Sequence, residues 1–268
     1  MSLKPLADRL RPQTFDHIAG QAHLVAKNGI LRRLTESGRI PNMVFFGPPG
    51  TGKTTAASII AKQSGMDFHK LNATSASTAD VKEVLASSQS LFGSNGTLLY
   101  IDEIQYFNRK QQQSLLEYIE DGRVTLIAST TENPHFYIYN AIISRSSLFE
   151  FKTVEPGECA KMLYKALDYL NKENNTAKTV SQATAEYIAK AAGGDVRRSI
   201  GLFENAFFAA ENEITPADAD ALVAGLEDIL KEHLELDHVE LEIQPEALDA
   251  VAQNARVFCD ICLGEMEN

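Results

Sequence analysis

A single eight-residue loop constrains the fold of this chain more than any other feature. Residues 47–54 read Gly-Pro-Pro-Gly-Thr-Gly-Lys-Thr, between an apolar run at 42–46 and an Ala- and Ile-rich stretch at 54–63. Glycines let such a loop turn its N–H groups toward phosphate oxygens, and the following helix adds the positive end of its dipole. Lys53 can then reach the β- and γ-phosphates, while the Thr54 hydroxyl can bind Mg²⁺. The pattern predicts a nucleotide phosphate site formed by Gly47, Pro48, Pro49, Gly50, Thr51, Gly52, Lys53, Thr54 and Thr55.

Two adjacent acids follow a second apolar run, Leu-Leu-Tyr-Ile at 98–101. A buried strand here would deliver both carboxylates to its carboxyl end, with Asp102 placed to hold Mg²⁺ through water and Glu103 to polarise an attacking water. Taken alone, such a run is often only a strand end that meets solvent. Asp102 lies 49 residues after Lys53, with one strand-and-helix unit between them, and this spacing favours the catalytic interpretation.

Three further polar residues are candidates for sensing the γ-phosphate. Thr131 follows an apolar run at 124–128 and can orient the water, although taken alone a strand-end turn with side-chain hydrogen bonds explains it better. Arg145, within Ser-Arg-Ser, is a candidate arginine finger for a neighbouring subunit, or else a surface arginine. Arg197, within Gly-Asp-Val-Arg-Arg, can reach the nucleotide from a second domain, or else form an ion pair at a helix start.

Strands and helices alternate in the first part of the chain. Apolar runs at 42–46, 66–71, 97–101, 124–128 and 148–151 predict five strands, and helical spacing occurs at 54–63, 79–92 and 110–119. This alternation predicts a parallel sheet covered by helices on both faces, with ligands at the carboxyl ends of the strands. After Pro156 only helices are predicted, at 159–170, 183–192, 196–210 and 216–223. We expect an α/β domain at 1–155, a helical domain at 156–225, and an acidic, partly helical segment at 226–268.

Charge is distributed unevenly along the chain. Residues 211–268 hold 16 acidic and two basic residues, whereas residues 1–210 hold 20 acidic and 23 basic ones. The acidic segment is either a solvated face or a surface that repels nucleic acid and favours basic partners. No apolar run reaches the ~18 residues of a membrane helix, and the start lacks a signal-peptide core, so we expect a soluble cytosolic protein without membrane contact. Cys259 and Cys262 form one C-x-x-C, which we interpret as incidental because zinc needs four ligands.

The order of these motifs resembles the AAA+ ATPases of the replication-associated recombination protein A family. The resemblance covers about residues 5–225 and is carried by LADRLRPQTFDHIAGQAHL, FFGPPGTGKTT, LLYIDEIQYFNRKQQQSLLEYIEDGRVTLIASTTENPHF and AIISRSSLFEF. It implies an α/β AAA+ P-loop NTPase with a five-stranded parallel sheet and a small all-α lid, and ATP and Mg²⁺ as cofactors. It also assigns Asp102 and Glu103 as the Walker B pair, Thr131 as sensor 1, Arg145 as a finger acting in trans, and Arg197 as sensor 2. The segment around Arg11, Pro12 and Ile18 would border the adenine.

The resemblance also implies a role. It predicts ATP-driven action at stalled forks, gaps or DNA ends, a homo-oligomer formed through AAA+ interfaces, contact with single-strand-binding protein and the replication machinery, and a cytoplasmic, nucleoid-associated location. A clamp-loader subunit is the first alternative, although that family usually carries Ser-Arg-Cys where this chain has Ser-Arg-Ser. A non-hydrolysing ATP-binding adaptor is the second. The family continues into a helical oligomerisation domain that residues 226–268 do not match, so we expect this chain alone to assemble poorly and bind DNA weakly.

Overall fold

The computed structural model describes residues 4–87 and 96–220. Within them the helices are α1 (Leu6–Arg9), α2 (Ala22–Val25), α3 (Ile30–Glu36), α4 (Lys53–Ser64), α5 (Thr78–Ser87), α6 (Arg109–Glu120), α7 (Pro134–Tyr137), α8 (Asn140–Ile143), α9 (Pro156–Asn174), α10 (Gln182–Ala191) and α11 (Val196–Ala209). The strands are β1 (Met43–Phe46), β2 (Asp67–Asn72), β3 (Thr97–Asp102), β4 (Val124–Thr130), β5 (Ser147–Glu150), β6 (Thr179–Val180) and β7 (Glu213–Ile214). Short 3₁₀ turns span Phe15–His17 and Ile104–Tyr106. The predictions for 226–268, including both C-terminal cysteines, lie outside the described residues.

The five predicted strands form one parallel sheet in the order β2-β3-β4-β1-β5. The three inner strands are buried along nearly their whole length, whereas the edge strand β2 exposes alternate residues and the edge strand β5 exposes its first and last residues. Continuous burial is typical of parallel strands that are covered on both faces. The predicted α/β fold is therefore confirmed, and each strand lies within a few residues of its predicted bounds.

Two apolar layers cover the sheet and fix where its loops emerge. On one face, side chains of β1, β3 and β4, such as Phe45 and Tyr100, pack against Ala56 and Ile60 of α4. On the other face, alternate residues of the same strands pack against α6 and the segment around Ile138 and Ile142. The first layer holds α4 against the sheet, and α4 carries the end of the Gly-rich loop, whose start follows the carboxyl end of β1.

The helices α9, α10 and α11 share a separate apolar cluster that also contains Leu6 of α1. Arg9 strengthens this attachment through ion pairs with Glu173 of α9 and Glu204 of α11, at 2.6 and 3.2 Å. The helical part also contains the two-residue parallel bridge between β6 and β7, which the expected all-α arrangement did not include. The domain bounds at 155/156 and 225/226 remain predictions. Among the helices of 4–87 and 96–220, none combines the length and apolar character needed to cross a bilayer.

Candidate active site

The Gly-rich loop leaves β1 and runs directly into α4, as predicted. Gly47 has φ +129°, and a Cβ there would lie 2.0 Å from the carbonyl oxygen of Phe151, so only glycine fits beside the end of β5. Gly52, also with positive φ, precedes the first residue of α4. The start of the loop therefore packs closely against the residue that follows β5, and its end leads into the first turn of α4. A Gly-rich loop at a helix N-terminus is the geometry of a phosphate site.

Lys53 is buried, with 7% of its surface exposed, and its ammonium group folds back onto the loop. Its Nζ donates hydrogen bonds to the carbonyl oxygens of Gly47 at 2.6 Å and Pro48 at 2.8 Å. Burial lowers the pKa of Lys53 from its ordinary value, against the opposing effect of the carboxylates of Glu103 and Asp102. Incoming phosphate oxygens can replace the two carbonyl acceptors, and their charge would offset the cost of burying the ammonium group.

The phenol of Tyr100 connects the loop to the predicted metal carboxylate. Its hydroxyl lies 3.0 Å from Oγ1 of Thr54, 3.1 Å from Oδ1 of Asp102 and 2.7 Å from Oγ of Ser129. Ser129, on β4, also lies 2.8 Å from the same Asp102 oxygen. Burial, and then the charge of Asp102, raise the pKa of Tyr100, so the phenol stays protonated. The structure thus brings Thr54 and Asp102 to opposite sides of one hydroxyl group.

Lys70 provides Asp102 with an ion pair from the edge strand. Its Nζ lies 3.0 Å from Oδ2 of Asp102 and 5.7 Å from the centre of the Tyr100 ring. Burial by itself would raise the pKa of Asp102, but the hydrogen bonds from Lys70 and Ser129 outweigh burial, and the pKa lies below its ordinary value. Asp102 is therefore a carboxylate at neutral pH, with both oxygens already hydrogen-bonded.

Glu103 follows Asp102 in a strained backbone conformation, with φ +55° and ψ +51°. Its Oε2 accepts hydrogen bonds from Gln105 Nε2 at 2.6 Å and from Thr131 Oγ1 at 3.2 Å. The other Gln105 side-chain atom, Oε1, is buried without a hydrogen-bond partner in the described structure. A non-glycine residue in the left-handed region costs on the order of 1–3 kcal/mol, and such strain clusters at functional sites. Two donors thus hold one carboxylate oxygen of Glu103 and leave the other available.

The helical part closes the site from above. Asp195 caps α11 by accepting a hydrogen bond from the backbone N–H of Arg198 at 2.9 Å. The N–H of Val196 donates to the carbonyl oxygen of Gly50 at 3.3 Å, and a Cβ on Gly50 would lie 1.8 Å from Oδ1 of Asp195. The start of α11 therefore rests directly on the Gly-rich loop, which brings the next residue, Arg197, into the same cleft.

The cleft between these parts has a volume of about 270 Å³. The candidate residues that line it are Pro12, Ile18, Pro49, Gly50, Thr51, Gly52, Lys53, Thr54, Thr55, Asp102, Glu103 and Arg197. Gly47 and Pro48 contribute through the carbonyl groups that hold Lys53, and Thr131 through its contact with Glu103. The N-terminal segment, including Arg11, also lines the cleft.

In the described structure Arg145 does not line this cleft, and its side chain contacts residues outside the cleft lining. Its guanidinium group pairs with Glu120 at the end of α6, at 2.7 Å, and donates to the carbonyl oxygen of Ala141 at 3.0 Å. Both partners are about half exposed, with side-chain exposures of 42% and 48%. The arginine therefore projects from the surface of its own chain.

Several site residues were given no role from the sequence, namely Lys70, Tyr100, Gln105, Ser129 and Asp195. For Tyr100 a signal exists, because residues i and i+2 of a strand share a face and Tyr100 must point the same way as Asp102. For Lys70 the signal also needs the register, in which Lys70 pairs with Tyr100 and Asn72 with Asp102. No local pattern distinguishes Gln105, since its role depends on a contact across a turn.

Comparison with known proteins adds information about descent. Residues 43–156 match the family described as ATPase family associated with various cellular activities (AAA). The chain is 36% identical to replication-associated recombination protein A of Coxiella burnetii over 75% of this chain and 46% of that protein, and 35% identical to that of Bacillus subtilis over 75% and 48%. It is 32% identical to ATPase WRNIP1 of Dictyostelium discoideum over 80% of this chain and 24% of that protein. The chain thus spans less than half the length of these relatives.

Among solved structures, the Thermotoga maritima RuvB Holliday junction branch migration motor superposes with a TM-score of 0.69. The match covers 92% of this chain and 86% of RuvB at 24% identity. A structure of a RuvB variant from the same organism gives a TM-score of 0.70 at the same identity and coverage. At this level of identity the likeness concerns the fold, and it includes the arrangement of a parallel sheet followed by helices.

Proposed function

The chain belongs to the AAA+ ATPases of the replication-associated recombination protein A family, and from that premise we propose that it hydrolyses Mg·ATP to remodel DNA or DNA-bound complexes in replication and recombination. The observation that carries the proposal is the convergence of Lys53, Thr54, Asp102, Glu103 and Arg197 on one cleft beneath the Gly-rich loop. Phosphate-binding, metal-binding, base and trigger groups are the set that phosphoryl transfer to water requires.

The donor set suits Mg²⁺ and nucleotide together. The Thr54 hydroxyl and the Asp102 carboxylate are hard oxygen ligands, held on either side of the Tyr100 hydroxyl at 3.0 and 3.1 Å. Mg²⁺ in such sites is bound by one or two protein groups together with substrate phosphates and water. When bound, the ion would neutralise charge on the β- and γ-phosphate oxygens.

The residues of the chain would then act in defined roles. Lys53 exchanges its two carbonyl acceptors for phosphate oxygens, and the loop N–H groups bind the remaining ones. Glu103, anchored through Oε2, accepts a proton from water through its other oxygen. Thr131 fixes that carboxylate, and Arg197 meets the γ-phosphate from the helical side. Arg145, exposed on its own chain, completes the site of a neighbouring copy and thereby requires a homo-oligomer.

The relatives are named for replication-associated recombination, and their names support the coarser role in replication and recombination. The finer part of the proposal is action at stalled forks, contact with single-strand-binding protein and the replication machinery, and a nucleoid-associated cytoplasmic location. The whole activity of those proteins belongs to chains more than twice as long as the segments matched here. The module at 1–155 with its lid at 156–225 is proposed as the motor part.

Two substitutions test the proposal. Lys53→Ala should abolish Mg·ATP binding, measured by isothermal titration calorimetry. Glu103→Gln should bind Mg·ATP like the unaltered chain but lower the turnover about 10²-fold or more, because it removes the base and keeps the shape. Native turnover by Glu103→Gln would rule out this base. Binding without turnover by the unaltered chain, alone and with single-stranded, duplex and forked DNA, would instead support the non-hydrolysing adaptor.

A further inference from the structure

The surface beyond the Walker B strand exposes an unusual amount of aromatic area. Tyr106, Phe136 and Tyr137 have 64%, 82% and 51% of their surface exposed, and among the large apolar side chains of the described residues only Phe208 is comparable, at 55%. Single exposed aromatics need no explanation, but a group concentrated in two adjacent segments indicates an interaction site. These segments, 104–108 and 133–140, begin directly after Glu103 and shortly after Thr131.

This surface is held rigidly in shape by a buried glutamine. Gln112 of α6 is 3% exposed, and its Nε2 donates to the carbonyl oxygens of Phe107 at 3.0 Å and Tyr137 at 3.2 Å. Its Oε1 accepts from the backbone N–H of Tyr139 at 2.8 Å. One side chain therefore joins both segments to the start of α6 and forms a cleft of about 340 Å³ between them. The aromatic groups are presented by a preformed backbone, which lowers the entropic cost of binding.

Two cations at the start of α6 accompany the aromatic side chains. Arg109 lies 5.0 Å from the centre of the Tyr139 ring, and within the described part of the chain neither it nor Lys110 forms an ion pair. By contrast, Arg123 at the far end of α6 pairs with Glu117 and Asp121. Cations in the first turn oppose the helix dipole, so they do not stabilise α6 itself. Lys110 breaks this local rule and has neither an ion pair nor a ring contact within the described part of the chain, so it is a candidate for function.

We propose that Tyr106, Phe136, Tyr137, Arg109 and Lys110 form a binding surface for single-stranded DNA. Aromatic side chains that stack on bases, beside cations that contact phosphates, are the combination by which proteins bind single strands without sequence preference. A duplex hides the faces of its bases, so these aromatic groups favour an unpaired strand. The assignment of DNA as the ligand class rests on the proposed function, although binding itself needs no ATP turnover.

The test measures binding of the whole chain to a fluorescently labelled oligothymidylate strand by anisotropy, at low salt and without nucleotide. Phe136→Ala and Tyr106→Ala should each weaken binding at least about 5-fold, the lower end of the loss for one stacked base. Phe136→Tyr should retain affinity, while Phe136→Leu, apolar but without a stacking face, should lose it. The matched control is Phe208→Ala, which removes a comparably exposed aromatic from α11 and should leave affinity unchanged.

The salt dependence of DNA binding distinguishes the contribution of the two cations from that of the aromatic rings. Arg109→Ala and Lys110→Ala should each reduce the slope of log affinity against log salt by about 0.7, the value for one phosphate contact on a single strand. Phe136→Ala should weaken binding at every salt concentration with the slope unchanged. Basal ATP turnover should be the same in Phe136→Ala as in the unaltered chain. The turnover assay therefore tests the proposed hydrolysis, and the anisotropy assay tests DNA binding independently of it.

Three results would overturn the inference. One is equal binding of the oligothymidylate by Phe136→Ala and the unaltered chain, or no binding by either. Another is an equal loss for the Phe208→Ala control. The third is a change in sedimentation velocity with Phe136→Ala at unchanged DNA affinity, which would identify the surface as a contact between copies of this chain.

Discussion

The ammonium group of Lys70 lies 3.0 Å from Oδ2 of Asp102, so a cation from the edge strand β2 neutralises the carboxylate proposed to hold Mg²⁺. In this register Asn72 pairs with Asp102, and Lys70, two residues earlier in β2, lies on the same face of the sheet as Asn72. The lysine side chain is 42% exposed and the aspartate 20%, so the pair is open to solvent on one side. Lys70 therefore competes with a divalent cation for the charge of Asp102.

Removing that competition should strengthen metal binding. Lys70→Met keeps the length of the side chain and removes its charge, and we expect the affinity for Mg·ADP to rise about 2- to 5-fold, equivalent to the ~0.5–1 kcal/mol of a partly exposed ion pair. Isothermal titration calorimetry with ADP at a series of Mg²⁺ concentrations measures this. Lys70→Arg, which keeps the charge, is the matched control, and an equal gain in Lys70→Arg would exclude the competition.

Lys70→Met should also change the pH dependence of the folding stability in a defined direction. Asp102 has a pKa below its ordinary value, so its contribution to stability is present above the unfolded pKa of about 3.8 and is lost as the pH falls through the lower folded pKa. Without the Lys70 hydrogen bond and charge, the hydrogen bonds from Ser129 and Tyr100 still oppose the effect of burial, but the folded pKa of Asp102 should rise. Thermal unfolding followed between pH 3 and 7 should show Lys70→Met losing stability at a higher pH than the unaltered chain.

Gln105 should matter for turnover and not for nucleotide affinity. Its hydrogen bond to Oε2 of Glu103, at 2.6 Å, orients the proposed base. Gln105→Met has a similar length and cannot donate, and we expect kcat to fall about 10-fold, the value of a hydrogen bond to a charged group, with KM unchanged. Gln105→Glu should fall further, because a second carboxylate repels the first. Steady-state kinetics of the two variants, with melting temperatures to verify folding, decide between this role and a structural one, which would lower stability and spare kcat.

Arg145 should act across a subunit boundary. Arg145→Ala and Lys53→Ala should each be nearly inactive alone, and a mixture should regain turnover because intact sites meet intact arginines; a trans-acting arginine contributes on the order of 10³–10⁵ in rate. Arg197→Ala should show no such recovery when mixed with Lys53→Ala. Both residues act within the cleft of their own chain, so every site in that mixture lacks one of them and a neighbour cannot supply it.

The control for Arg145 is its observed partner. Glu120→Gln removes the exposed ion pair and keeps the arginine with its hydrogen bond to Ala141. Exposed pairs contribute about 0–1 kcal/mol, so this variant should keep both stability and turnover. If Glu120→Gln lost as much turnover as Arg145→Ala, the pair would be the functional unit. If mixing restored nothing at any ratio, with assembly verified by light scattering, action in trans would be excluded.

The contacts of this site divide into those a sequence can reveal and those it cannot. Lys53, Thr54 and Asp102 were predictable because each lies at a strand end or a helix start. The residues next to them in the sequence indicate that strand or helix. Lys70 and Ser129 reach Asp102 from other strands, and their contacts need the order β2-β3-β4 and its register, which no local pattern contains. The bridge between β6 and β7 has two residues in each strand, which is too short to produce a periodic pattern in the sequence.

Long-range packing explains the other features of the site that the sequence alone did not reveal. Leu6 is fully buried, yet its partners lie in α9 and α11, so the apolar cluster that holds the N-terminus could not be inferred from the first residues. Pro12 and Ile18 were placed beside the nucleotide only by resemblance, and they line the cleft because α1 docks on that helical cluster. Arg197 reaches the same cleft since Val196 and Asp195 contact Gly50, a contact between residues about 145 positions apart in the chain.

Asp195 combines a structural and an electrostatic role that substitution can separate. Its side chain caps α11, and its charge acts on Lys53 within the cleft where phosphates would bind. Asparagine caps a helix as well as aspartate does, so Asp195→Asn should leave the melting temperature unchanged while it raises the affinity for Mg·ADP, because it removes a negative charge beside the Gly-rich loop. Asp195→Ala also loses the cap, at a cost of about 1 kcal/mol, and should lower the melting temperature by about 2–4 °C. Differential scanning fluorimetry and calorimetric titration measure the two effects. A fall in Mg·ADP affinity for Asp195→Asn at unchanged stability would mean that this carboxylate takes part in holding the nucleotide, and the interpretation of Asp195 as a cap whose charge opposes the phosphates would then be wrong.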